Sequence, residues 1–87
     1  MRRIRGEMRM KALAQEYRGS GELCRVRAAE LERAMRRRQR ENEIGALEVM
    51  RLRRRIASLR AMARDCAGTA AYLEHYYDRG LSYERYI

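Results

Sequence analysis

Twenty arginines against a single lysine, Lys11, give this 87-residue chain most of its chemical capacity. A guanidinium is a planar, permanently charged fork that meets carboxylates and phosphates with two parallel hydrogen bonds and is only weakly hydrated. Arg33, Arg37 and Arg40 recur at helical spacing, and Arg51, Arg54 and Arg55 repeat the pattern further on. Between them lies RRRQRENEIG, Arg36 to Gly45. Residues 33–55 hold nine arginines against three acids, Glu41, Glu43 and Glu48, so most of these guanidinium groups find no local partner. The surplus predicts a site for phosphate at Arg33, Arg36, Arg37, Arg40, Arg51, Arg54 and Arg55. The competing reading is a solvated outer helix face, supported by Glu32 to Arg36 at i, i+4 and by Glu30 to Arg33 and Glu48 to Arg51 at i, i+3. No recognition-helix pattern is present, so the prediction is backbone binding without sequence preference.

The other reactive side chains point away from catalysis. His75 is the only histidine, and adding Cys24 or Cys66 gives no metal-ligand spacing. The two cysteines read as small core residues, with a disulfide requiring both a hairpin and an oxidising environment. No nucleophile and base grouping and no glycine-rich phosphate loop occurs, so neither an enzyme nor a cofactor is expected. Five of the six tyrosines, Tyr72, Tyr76, Tyr77, Tyr83 and Tyr86, lie in the last 16 residues, where the chain is net acidic. That setting favours a contact surface, with a buried ring and a wet hydroxyl, over stacking on bases.

These groups are carried by helices. The chain has no Pro, Trp or Phe, is 46% hydrophobic and 38% charged, and is rich in Ala, Leu, Met, Arg and Glu. Such a composition belongs to coiled coils and long helices. Apolar residues step by three and four through Ala28, Leu31, Met35, Val49, Leu52, Ile56, Leu59, Ala63, Cys66, Ala70, Leu73 and Tyr77, a heptad seam with a at Ala28 and d at Leu31. Three consecutive seam positions, Arg38, Asn42 and Gly45, break it. Asn and Gly both accept the left-handed conformation a turn requires. One helix over 22–79 would be about 87 Å long, so a fold-back at this break is the better solution. Leu31 and Leu59, Cys24 and Cys66, and Arg38 and Leu52 lie symmetrically about Gly45 and are expected at matching heights. The alternative is an unbroken helix with Asn42 buried in a parallel dimer.

Upstream, RGSG at 18–21 reads as a second break, with Gly19 ending one helix and Ser20 capping the next. The predicted fold is therefore all-α and a single helical domain over 1–87. A short N-terminal helix, about 3–18, precedes a long antiparallel, coiled-coil-like hairpin with arms at about 22–41 and 46–79, and a short tail covers 80–87. Leu31, Met35, Val49, Leu52, Ile56, Leu59, Leu73 and Tyr77 form its interaction seam. Two bare arms leave apolar stripes open, which predicts a homo-oligomer, a dimer or a four-helix assembly.

The C-terminal residues YLEHYYDRGLSYERYI, Tyr72 to Ile87, carry two resemblances. The Tyr-x-x-Gly-Leu-Ser-Tyr-Glu portion resembles the helix and turn that open region 4 of sigma-type transcription factors, over about a dozen residues. The second, base-reading helix of that motif does not follow, so no base-reading residue is carried over. The layout of an Arg/Leu/Ala coiled segment followed by Tyr72 to Gly80 is similar to small uncharacterised helical proteins of Gram-positive gut bacteria and their mobile elements. That resemblance covers roughly the C-terminal two-thirds and implies architecture, with no activity attached.

The sequence thus predicts a non-enzymatic accessory or regulatory protein that holds nucleic-acid backbone on arginine-rich helix faces. The alternative is a protein interaction module, a coiled-coil adapter or inhibitor, whose arginines meet an acidic partner protein. No apolar h-region follows the basic N-terminus, and no charge-free stretch exceeds eight residues. No membrane association is expected, and the cytoplasm is the expected location.

Overall fold

The computed structural model describes the backbone of residues 2–76 and the side chains of residues 6–76. Among these residues the chain forms two helices and no strand: α1, Arg2–Arg40, and α2, Ala46–Glu74. They pack against each other as an antiparallel hairpin. Tyr77 and the tail at 80–87 lie outside the described residues.

The seven-residue repeat decides which side chains meet. Ala14, Gly21, Ala28 and Met35 are buried on α1, and Ile56, Ala63 and Ala70 on α2, each seven residues from the next. All are a positions of the repeat set by Ala28. Near the turn the core is bulky: Ala28, Met35 and Ile56 are packed by Leu31, Ile44, Val49, Leu52 and Leu59. At the open end it is made of small residues, so the backbones approach closely. A Cβ placed on Gly21 would lie 3.1 Å from Cys66 Cβ and 3.3 Å from the Ala63 carbonyl oxygen. Of the expected seam, Leu31, Met35, Val49, Leu52, Ile56, Leu59 and Leu73 are all buried or half-buried.

The turn is built from the residues that interrupt the seam. Asn42 takes a left-handed conformation at φ 54°. The Glu43 N–H then donates to the Arg38 carbonyl at 2.8 Å, and the Asn42 N–H to the Gln39 carbonyl at 3.2 Å, a Schellman closure of α1. Gly45 caps α2 in an extended conformation. Arg38 clamps the bend: its guanidinium donates to both Glu48 carboxylate oxygens, at 2.7 and 3.3 Å, and to the Glu43 carbonyl at 3.2 Å. Asn42 is exposed, unlike the buried register-fixing residue of the unbroken-helix alternative.

Two expectations need correction. There is no break at 18–21, and hence no separate N-terminal helix: α1 runs unbroken through RGSG. Glycine in a helix costs about 1 kcal/mol relative to alanine, but Gly21 occupies a core position where any side chain would crowd α2. Packing of Ala14, Gly21 and Ala28 overrides the local preference. The hairpin also folds slightly earlier than Gly45. Gly21 faces Cys66, and Arg38 reaches Glu48, pairs that are symmetric about residues 43–44. Cys24 therefore sits about one turn from the height of Cys66, and both are free thiols.

Candidate nucleic-acid interface

Antiparallel helices that meet through a positions place their e positions together along one edge and their d and g positions along the other. Among the described residues, the two ion pairs that cross the seam along its length obey this rule. Arg18 donates to Glu74 and Arg60 donates to Glu32, both pairs joining e to e. The first is held by hydrogen bonding that pulls the Glu74 carboxyl below its ordinary range. At the bend, the Arg38 hydrogen bonds lower the Glu48 carboxyl in the same way, and Glu48 in turn raises Arg38.

Along the e edge a chain of adjoining grooves runs the length of the hairpin. The first, at the turn, is lined by Gln39, Ile44, Val49, Met50, Arg53, Arg54 and Ala57. The next shares Gln39, Arg53 and Ala57 with it and adds Glu32, Met35, Arg36, Ile56, Arg60 and Arg64. Arg60 and Arg64 continue into a groove with Arg25, Ala63 and Ala67, which leads on to Arg18, Gly21 and Glu22. The floor is apolar because it is the flank of the seam, and the walls are arginine. Successive e positions are seven residues apart, about 10.5 Å at 1.5 Å per residue. That is about one Debye length at 0.1 M salt, so the potentials of neighbouring guanidinium groups overlap.

Acids neutralise part of this edge. Glu32 accepts from both Arg36, at 3.0 Å, and Arg60; Glu22 accepts from Arg25. Arg53, Arg54 and Arg64 are exposed and have no acidic partner among the described residues. Arg9, Arg33, Arg37, Arg40, Arg51 and Arg55 likewise have no acidic partner among the described residues, so what distinguishes the e edge is that both helices contribute walls to it.

The sequence-predicted arginines distribute over several faces. Arg33, Arg37 and Arg40 occupy f and c positions on the outer face of α1, opposite the seam. Arg51 and Arg54 do the same on α2, which looks the other way, although Arg54 also borders the groove at the turn. Arg36 lines the basic edge, and Arg55, at g, belongs to the opposite one. All seven are exposed, but the structure does not gather them into one patch. Sequence reasoning missed Arg25, Arg53, Arg60 and Arg64. Their signal was available in the repeat, since Arg25, Arg53 and Arg60 share position e and Arg36 and Arg64 share position b.

Among the described residues no group of three or more His, Cys, Asp or Glu is placed to hold a metal ion. No described helix is long and apolar enough to cross a membrane. Tyr72 and Tyr76 meet edge to face with ring centres 5.9 Å apart, on the α2 surface near its end. No family model, curated protein or solved structure matches the chain.

Proposed function

We propose that the protein is a non-enzymatic accessory factor that binds nucleic-acid backbone along its e edge, without strong sequence preference. One observation carries this reading: Arg53, Arg54 and Arg64, without acidic partners, stand in grooves shared with Arg36, Arg60 and Arg25 from both helices. Unneutralised guanidinium groups along a shared groove repel one another and attract polyanions, and a phosphodiester chain supplies regularly spaced charge with released counterions as the driving force. The outer-face residues Arg33, Arg37, Arg40 and Arg51 add long-range attraction on either side of the turn. The groove lacks aromatic residues for base stacking, which fits contact with phosphates and not with bases.

Binding of a fluorescent random-sequence duplex, followed by anisotropy over a salt series, tests it. Engagement of about four to six phosphates gives a slope of log K against log salt near −4 or steeper. A flat salt response overturns the reading. An acidic protein would be attracted by the same arginines, so retention of such a protein with no nucleic-acid binding would favour the adapter alternative.

A further inference from the structure

The arginines without acidic partners do not all look into the groove. Arg33, Arg37 and Arg40 are exposed at f, c and f on the outside of α1, where steps of four and three residues stack them in one row. None of them has an acidic partner among the described residues. Glu30, at c one turn earlier, is engaged by Arg27 at 3.4 Å, and Glu41 and Glu43 in the bend make no ion pair with the row. The row runs about 10.5 Å along the helix, beside the same turns that give Arg36 and Gln39 to the groove. One length of α1 thus carries basic charge on two sides, one bordering the groove and one facing away from α2.

We propose that this row holds a second nucleic-acid backbone while the groove holds the first, so that one chain bridges two segments. The inference rests on the proposed binding of backbone in the groove. A helix with its side chains is about 10–12 Å across, and that thickness of α1 stands between the two occupants. It exceeds the Debye length of about 8 Å at physiological ionic strength, so two polyanions seated this way repel each other only weakly. Like charges one turn apart destabilise a helix, and phosphates laid along Arg33, Arg37 and Arg40 relieve that repulsion while releasing counterions. The row offers guanidinium forks alone, which donate hydrogen bonds and accept none. That suits phosphate oxygens, as in the groove, and gives no means of reading base edges.

The test is capture of a fluorescent random-sequence duplex by a second, immobilised duplex, followed over a protein titration in about 0.1 M salt. The parent should capture duplex at low protein and release it again in excess, when every duplex carries its own copies. The triple variant Arg33→Gln, Arg37→Gln, Arg40→Gln, with helical circular dichroism retained, should lose capture by about 10-fold or more, while its anisotropy affinity for a single duplex falls clearly less. A parent that binds one duplex and captures no second overturns the bridging and leaves the groove reading standing. Failure to bind either duplex overturns both. Capture that survives in the folded triple variant, as association between copies would give, overturns the row as the second site.

Discussion

The two edges of this hairpin are written by one seven-residue repeat and differ in almost everything else. On the e edge Arg18, Arg25, Arg53 and Arg60 flank the seam, tied in part by Glu32 and Glu74; on the d and g edge Leu31, Leu59 and Met62 flank it. The seam runs between them, with the a positions from Ala14 to Ala70 buried everywhere except at Asn42 in the turn and Val49 beside it. The difference shows how a two-helix protein with little interior divides labour: one stripe folds the chain, one flank carries arginine walls from both helices, and the other joins the core-flanking Leu31 and Leu59 to the Arg38–Glu48 clamp at the bend.

The comparison depends first on the seam that keeps the edges apart. Replacing Ile56, 4% exposed in the bulky part of the core, with Ala should cost about 2–5 kcal/mol and blur both edges at once, seen as a large fall in urea midpoint. At the open end Gly21→Leu should drive the helices apart and cost about 1–3 kcal/mol by overpacking. Gly19→Ala, two residues away with nothing within 4 Å of the added Cβ, should instead stabilise by about 0.5–1 kcal/mol. Opposite signs in the two thermal melts would confirm that the small-residue contact is specific to the a position.

The smallest effect is at the bend. The Glu48 carboxyl is held low chiefly by the Arg38 hydrogen bonds. A carboxyl lowered on folding contributes stability that is complete above its unfolded value, about 4.3, and disappears as pH falls through the lower folded value. The parent should therefore lose melting temperature below about pH 4 faster than Glu48→Gln does, and parallel curves would show that the clamp carries no linkage. Because both groups are exposed, the difference is small.

Much of the fold was legible because burial follows the repeat. The steps of three and four from Leu31 to Leu73 found the seam, and the three residues that spoil it, Arg38, Asn42 and Gly45, turned out to be the clamp, the left-handed residue and the cap of the turn. The break assigned to RGSG was misplaced because glycine's local preference is visible in sequence while its packing against Cys66 is not. Carrying the register back from Ala28 to Gly21 and Ala14 would have kept the helix whole. The candidate site was less legible. Spacing along one helix identifies Arg33, Arg37 and Arg40 as a face, but a groove shared by two helices exists only once their direction and facing positions are known. Arg53, Arg60 and Arg64 were therefore overlooked.

The central claim is that the charge that matters lies in the shared groove and not on the outer faces. Two triple variants remove equal charge: Arg53→Gln, Arg60→Gln, Arg64→Gln from the groove, and Arg33→Gln, Arg37→Gln, Arg40→Gln from the outside of α1. Duplex anisotropy at one fixed salt compares them directly. The account predicts a loss of roughly 10- to 100-fold for the groove variant, with a salt slope shallower by about 2 to 3, and a clearly smaller loss for the outer variant. Equal losses, or a greater loss from the outer face, would contradict it.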